Sequence, residues 1–118
     1  MSEPVIDLTR TAALGDPSTE AGRTALIEIF RVYFDNVSAA CAEMRRAAAS
    51  PEVVRVHAHR AKGASGVVGA VALTTRFADV EAMAAAGETV PAGVFDEVDH
   101  QLAALRQAVS AQIGKDLQ

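Results

Sequence analysis

The sequence contains few of the residues that usually mark a sheet, a disulfide framework or a membrane span. Aromatic residues make up 4% of the 118 positions, and tryptophan is absent. Sheets favour aromatic and β-branched side chains, whereas alanine, about a fifth of this chain, is the strongest helix former. A single cysteine excludes an internal disulfide and leaves no second thiol for a CxxC site. No apolar run approaches the roughly 18–20 residues that cross a bilayer.

Basic residues are also in short supply. Lysine and arginine number 11 against 15 acidic residues, which gives a net charge of −4. Nucleic-acid binding requires a basic surface, so this balance predicts no nucleic-acid partner. The first residues, Met-Ser-Glu-Pro, lack the basic and apolar regions of a secretory signal. With 50% hydrophobic residues, we expect one cytoplasmic, monomeric helical domain that does not bind membranes.

The chain divides into a lead segment and a predicted bundle. Residues 1–17 form the lead, which ends in a Gly-Asp-Pro turn. Its apolar residues Ile6, Leu8 and Leu14 predict a short packing helix. Residues 18–118 space their apolar side chains alternately three and four positions apart, which is typical of amphipathic helices.

Residues 18–118 are predicted to form four helices. In chain order they span 18 or 19 to 50, 51–67, 69–87 and 93–113. Ser18 or Thr19 offers the first N-cap, and Ser50 followed by Pro51 is typical of a helix start. Such short connections between the helices predict an all-α fold, an up-down-up-down antiparallel four-helix bundle.

Each predicted helix buries one apolar stripe. The stripes are Leu26, Phe30, Tyr33, Val37, Ala40, Met44 and Ala47, flanked by Ile27, Phe34 and Cys41; Val54, Ala58, Ala61, Ser65 and Val68; Leu73, Phe77, Val80 and Ala84; and Phe95, Val98, Leu102, Leu105, Val109 and Ile113. Cys41, on the flank of the first stripe, is interpreted as a small buried hydrophobe and not as a nucleophile.

The second predicted helix has an unusual exposed face. Advancing each residue by about 100° from Val54 places His59 at about 140°, nearly opposite the core. The residues that share this face are Arg55, Val56, Lys62, Gly63 and Gly66. Glycine inside a helix costs roughly 1 kcal/mol relative to alanine. Two glycines beside one histidine therefore indicate that another protein's backbone approaches the imidazole, although an ordinary surface histidine is the alternative.

The remaining histidines do not form a metal site in this pattern. Residues two apart on a helix diverge by about 200°, so His57 and His59 cannot share an ion. His57 lies at the core edge and is predicted to pack there with a hydrogen bond to a neighbouring helix. His100 is predicted to be exposed. The glycines around Lys62 do not have P-loop spacing, and no strand precedes them.

The central part of the chain carries a motif of thirteen positions. It runs Ala58-His59-Arg60-Ala61-Lys62-Gly63-Ala64-Ser65, then Gly69-Ala70, Leu73 and Val80-Glu81. This motif resembles the signature of histidine phosphotransfer (HPt) domains of bacterial two-component phosphorelays, which is approximately A-H-x-L-K-G-x-S-x-x-x-G-A-x-x-L, with a later L-E. The departures are Ala61 and Val80, where leucine is usual, and Arg76 and Phe77, where an aliphatic residue and cysteine are frequent. They affect packing and leave the His-x-x-Lys-Gly pattern intact.

The resemblance implies a role for each matching residue. His59 is the expected phosphoacceptor, Lys62 the residue that stabilises the phosphoryl group, and Gly63 the opening that admits the partner. Ser65, Gly69 and Ala70 match positions that shape the packing behind the site. The implied receiver-facing surface includes Val32 of the first long helix and Val56 of the second as exposed apolar contacts.

The implied function is that of a phosphoryl carrier, not an enzyme with its own turnover. The expected partners are response-regulator receiver domains and a hybrid histidine kinase. No cofactor is expected in this chain, since the receiver brings the phospho-aspartate and Mg²⁺. Two alternatives remain: a bundle that binds receivers without accepting phosphate, and a small metal-binding helical protein. The second needs inward Glu-x-x-His pairs, whereas the one such pair, Glu97 and His100, is predicted to face outward.

Overall fold

The computed structural model describes residues 3–114, and within that range the chain is all-helical. Five helices are present there: α1 (Leu8–Ala12), α2 (Glu20–Arg46), α3 (Pro51–Val68), α4 (Val71–Ala85) and α5 (Ala92–Ile113). The predicted all-α class is therefore confirmed over these residues. The four long helices match the four predicted ones, and α1 is the short helix expected in the lead.

The helix ends follow local chemistry. The Thr19 hydroxyl accepts a hydrogen bond from the Gly22 N–H at 3.0 Å and so caps α2. Ser50 occupies the predicted N-cap of α3, but its side chain makes no capping bond, and Pro51 supplies the helical φ instead. At the other end, α3 stops at Gly69, whose φ of +82° lies in the left-handed region that glycine adopts without strain. Only Gly69 and Ala70 separate α3 from α4.

The core lies among the four long helices. α2 packs against α3 and α5, and α4 packs against the same two helices. The predicted stripes of α3, α4 and α5 are buried throughout. On α2 the prediction was partly wrong, because Ala40 and Ala47 are only half-buried, whereas Phe34 and Cys41 are buried. This helix has neighbours on two sides, so its buried surface is wider than one stripe.

Polar contacts also join α2 to its neighbours. The Tyr33 hydroxyl lies 2.7 Å from the Ser65 hydroxyl on α3, and burial raises the pKa of Tyr33 to about 12. At the other end of α2, Arg45 lies 2.6 Å from a carboxylate oxygen of Asp99 and 3.1 Å from one of Asp96, both on α5. These contacts fix the positions of α3 and α5 along α2.

The lead segment closes the C-terminal end of α3. The last carbonyls of a helix have no partner within it. Here Thr11 donates to the Val68 carbonyl at 3.0 Å, and the backbone N–H of Asp7 donates to the Gly69 carbonyl at 2.8 Å. The expected packing role of Leu8 was wrong, since that side chain is 52% exposed. Hydrogen bonds hold α1 in place, and the apolar contacts come from Ile6 and Leu14 on either side of it.

Candidate functional site

His59 lies on the outer face of α3, as predicted. The core-facing residues of this helix are all buried, while the His59 side chain is 65% exposed. One helix thus buries an apolar stripe and presents an imidazole on the opposite side.

A carboxylate from α4 holds the imidazole. Nδ1 of His59 lies 2.6 Å from Oε2 of Glu81, and Oε1 of the same carboxylate lies 2.6 Å from Nζ of Lys62. The Glu81 side chain is only 19% exposed. The hydrogen bond from Lys62, followed by the one from His59, holds the pKa of the Glu81 carboxyl below its usual value. Glu81 is therefore ionised at neutral pH and bridges the two basic side chains.

This bridge determines which ring nitrogen is available. An ionised carboxylate only accepts hydrogen bonds, so Nδ1 of His59 must carry the proton in the contact with Glu81. In the neutral ring the lone pair then lies on Nε2. Among residues 3–114 no group hydrogen-bonds to Nε2. The site thus presents one oriented, unoccupied nucleophilic nitrogen on an exposed surface.

Lys62 is held by an ion pair within the site. Its side chain is 35% exposed, and its ammonium is already paired with Glu81. An anion attached to Nε2 of His59 has to compete with Glu81 for Lys62.

The two glycines on the outer face differ in their surroundings. A Cβ added at Gly63 or at Gly66 would meet nothing within 4 Å. Gly63 is exposed, which agrees with an open approach to His59. Gly66 is only half-buried and its carbonyl accepts a hydrogen bond from Nη1 of Arg10 at 3.0 Å. The lead segment therefore covers part of the face that was expected to be open at Gly66.

The other predicted contact residues do not hydrogen-bond to the cluster. Arg55 forms a two-point ion pair with Glu52, at 2.9 Å and 2.6 Å, and also interacts electrostatically with Glu81. Val32 is 59% exposed on α2, as predicted, whereas Val56 on α3 is half-buried, so its predicted exposure was wrong. Hydrogen bonds and the ion pair thus bring together His59, Lys62 and Glu81.

His57 lies on the other flank of α3. It lines an open groove of about 360 Å³ between α2 and α3. Its half-buried position agrees with the predicted core edge, but the predicted hydrogen bond is wrong: within residues 3–114 its ring has no hydrogen-bond partner. Ala39 and Ala40 of α2 line the groove beside it, and the carboxylate that also lines the groove, that of Glu43, is hydrogen-bonded to Arg46 instead. His100 is exposed, as predicted.

Cys41 has the predicted character. Its side chain is 6% exposed, and burial raises the pKa of its thiol to about 11. A thiol of this kind is almost entirely protonated at neutral pH and is a poor nucleophile.

Glu81 is the member of the cluster that helix periodicity does not reveal. In the sequence it stands only in the Val80-Glu81 pair of the HPt-like pattern. A usable signal was present, because His59 and Glu81 stand eleven residues before and eleven residues after Ala70. If the chain reverses at Gly69 and Ala70, these two positions come level with each other.

Neither a metal cluster nor a membrane-crossing helix is found in the part of the chain that the structure describes. No group of three His, Cys, Asp or Glu residues there could hold a metal ion, and no helix is long and apolar enough to cross a membrane. Comparison with known proteins adds no relative: no family model, no curated protein and no solved structure matches the chain.

Proposed function

We propose that this chain is a phosphoryl carrier of the HPt kind. His59 accepts a phosphoryl group from the aspartate of a receiver domain, or from a donor kinase, and passes it to the receiver of another response regulator. The observation that carries the proposal is the pairing of an exposed imidazole with Glu81, which holds Nδ1 at 2.6 Å and leaves Nε2 open.

The proposed scaffold is an up-down-up-down antiparallel bundle of α2 to α5. Contacts between α2 and α5 support it. Arg45 near the end of α2 meets Asp96 near the start of α5, while Phe34, earlier in α2, lies 4.3 Å beneath the guanidinium of Arg106, later in α5. The contact residue earlier in α2 thus has its partner later in α5, which is the pattern of antiparallel neighbours. A rigid bundle would hold the imidazole of His59 in a fixed position on the surface of α3.

The proposed chemical step is an in-line displacement. The lone pair on Nε2 of His59 attacks the phosphorus of the receiver's acyl phosphate, and the bond from phosphorus to the aspartate oxygen breaks. The aspartate leaves as a carboxylate, and the imidazole becomes phosphorylated on Nε2 with its proton retained on Nδ1. The second transfer reverses these bonds toward a new aspartate. Positive charge develops on the ring during attack, and the ionised Glu81 beside Nδ1 stabilises it.

Lys62 acts after the transfer in this proposal. The phosphoryl group brings negative charge to within one helical turn of its ammonium. Lys62 then exchanges part of its contact with Glu81 for the phosphoryl oxygens. The Mg²⁺ and the second cationic side chain of the transfer are assigned to the receiver partner, so the carrier and the receiver together complete the site.

A phosphotransfer profile tests this proposal. Each receiver domain and hybrid kinase of the source organism is labelled with phosphate and mixed with the wild-type chain, and acid-labile, alkali-stable label is followed. We expect transfer from at least one donor and none to the His59→Gln variant. His57→Gln is the matched control, two residues away on the same helix, and should accept label. Label that persists in His59→Gln would overturn the assignment.

The second candidate is a bundle that binds receivers without accepting phosphate. The ion pair between Lys62 and Glu81 favours it, since that pair occupies the cation expected to stabilise the phosphoryl group. Here the wild-type chain would bind a receiver in a titration yet take no label from any phosphorylated donor. Phosphoramidate, a small donor that needs no docking, decides between the two candidates, because a carrier would be labelled on His59.

A further inference from the structure

The lead segment bonds to α4 as well as to the end of α3. The carbonyl of Pro4 accepts a hydrogen bond from the Ala72 N–H at 3.2 Å. The hydroxyl of Thr75 donates to the Glu3 carboxylate at 2.6 Å. Both of these partners stand within the first five residues of α4, whereas the other hydrogen bonds of the segment close the last turn of α3. The lead segment therefore bridges the two-residue turn between α3 and α4.

The opposite end of the lead segment rests on α2. A Cβ added at Gly22 would meet the carbonyl oxygen of Asp16 at 1.9 Å, and one added at Gly15 would meet the carbonyl oxygen of Gly22 at 2.6 Å. Glycine at both positions allows the two backbones to approach this closely. Arg23 of α2 also donates to the Pro17 carbonyl at 3.1 Å. The lead segment thus has a fixed support on one helix while it holds the turn between two others.

Thr11 is the buried member of these contacts. Its hydroxyl lies 3.0 Å from the carbonyl oxygen of Val68, in the last turn of α3. In the described part of the chain no other group donates to that carbonyl. The same hydroxyl lies 3.1 Å from the place that a Cβ of Gly69 would occupy, so α1 fits closely against the turn. Since an unpaired buried carbonyl is costly, this one hydroxyl ties the end of α3 to the lead segment.

The turn sets the register of Glu81 against His59. Each of these two residues stands eleven positions from Ala70, which is about 16 Å along a helix. Because a packed helix moves as a rod, a slide of α4 along α3 at the turn would reach Glu81 undiminished. A reacting group has to be held within about 0.5 Å of its productive geometry. The contact of 2.6 Å between Nδ1 of His59 and Oε2 of Glu81 therefore requires a turn that is held equally firmly.

We propose that the lead segment is a positioning element for the phosphoacceptor. The hydroxyl of Thr11 holds the end of α3 and, together with the bonds to α4, fixes the register that sets Glu81 against Nδ1 of His59. The proposal rests on the proposed function. Thr11 is a positioning residue, since it acts through Glu81 and not on the reacting nitrogen. Its loss should therefore change the orientation of the imidazole and leave access to it unchanged.

Removing the hydroxyl tests this role in the full chain. Thr11→Val keeps the branched shape of the side chain. We expect the folded variant to take phosphate from phosphoramidate about threefold more slowly than wild type, as for a displacement of a fraction of an ångström. In nitrogen NMR spectra of the unphosphorylated chain, the ring of His59 should change from one Nδ1–H tautomer toward a mixture of both. Thr11→Ser restores the hydroxyl and should recover the rate and the spectrum.

Two controls separate positioning from a general loss of stability. Thr9 is exposed on the same helix, and its hydroxyl makes no hydrogen bond within residues 3–114, so Thr9→Val should behave as wild type. Val109→Ala opens a cavity in the core on α5 and should lower the melting temperature, but the rate and spectrum of the folded chain should not change. A wild-type rate and spectrum in folded Thr11→Val would overturn the proposal, as would an equal change in Val109→Ala.

A second variant decides the case in which Thr11→Val does not fold. Arg10 is exposed, and Arg10→Met removes its hydrogen bond of 3.0 Å to the Gly66 carbonyl without burying a new group. A change of the His59 spectrum toward mixed tautomers in this variant supports the positioning role. A wild-type spectrum overturns it.

The two proposals fail in different experiments. If wild type is labelled and folded Thr11→Val is labelled at the same rate with the same spectrum, the positioning role is overturned and the carrier proposal stands. If His59 takes no phosphate from any donor, the carrier proposal is overturned. The spectrum of Thr11→Val still tests the lead segment in that case, because the tautomer of His59 is observed without phosphate.

Discussion

Two histidines only two residues apart on α3 lie in opposite kinds of surroundings. His57 is half-buried in the groove against α2, and within residues 3–114 its ring has no hydrogen-bond partner. His59 is mostly exposed, and its ring is nevertheless held by Glu81 at 2.6 Å. The more exposed imidazole is thus the more firmly oriented one.

The exposure of a side chain and its hydrogen bonding are therefore separate properties. The groove beside His57 is lined by alanines and by Glu43, whose carboxylate is hydrogen-bonded to Arg46 and not to the ring. Orientation at His59 comes from one carboxylate on the adjacent helix, which keeps Nδ1 protonated and frees Nε2. A nucleophile needs both access and orientation, and only His59 has them together.

Replacing each histidine in turn should separate the two positions most strongly. His59→Gln should lose all phosphoryl acceptance and keep its melting temperature, because surface changes usually stay within about 0.5 kcal/mol. His57→Gln should keep acceptance and lose at most about 1 kcal/mol of stability, since no hydrogen bond is lost with the ring. Label transfer and thermal melting measure both variants. A large loss of stability in His59→Gln would contradict its position outside the core.

The next effect concerns access to His59. Gly63→Gln should fold at least as well as wild type, because a side chain at this position meets open space. Its glutamine fills the space that a receiver must enter, and a displacement of about 1 Å can cost on the order of 100-fold in rate. We therefore expect slow transfer from the receiver and little change with phosphoramidate. A wild-type rate from the receiver would show that the open surface is unimportant.

A smaller effect concerns orientation. Glu81→Ala removes the acceptor for Nδ1 of His59 and should slow labelling by phosphoramidate about tenfold, because the ring loses its fixed tautomer and direction. Glu81→Gln keeps a carbonyl oxygen that accepts a hydrogen bond from Nδ1, so it should retain more of the rate than Glu81→Ala. Initial rates of labelling measure the series. Equal rates for wild type and Glu81→Ala would mean that Glu81 does not position the nucleophile.

The smallest effect is a pH dependence of stability. The pKa of Glu81 lies below its usual 4.5, chiefly because Lys62 donates a hydrogen bond to it. A carboxyl with a lowered pKa in the folded chain adds stability above its unfolded pKa and loses it as the pH falls through the folded value. The free energy of unfolding of wild type should thus exceed that of Glu81→Gln near neutral pH, and the difference should disappear in acid. Urea denaturation of both variants measures it, and a constant difference would exclude the linkage.

The apolar stripe of α3 shows how much the spacing of residues along a single helix predicts. On α3 the spacing of Val54, Ala58 and Ala61 placed the core on one side and His59 on the other, and both placements are confirmed. The prediction was wrong where a residue's environment depends on a second element. Ala40 borders the groove instead of the core, and Leu8 is exposed.

The sequence by itself determined the helices and the outward direction of His59, because both follow from a period of 3.6 residues and from the burial of apolar side chains. The packing of the helices against one another determines which side chains surround His59 on the outer face of α3. The position of Glu81 relative to His59 and Lys62 depends on how α4 packs along α3 after the turn at Gly69. The depth of the groove beside His57 depends on how closely α2 and α3 approach. Distances between helices arise from the fit of their packed surfaces, which the periodicity of a single helix does not contain.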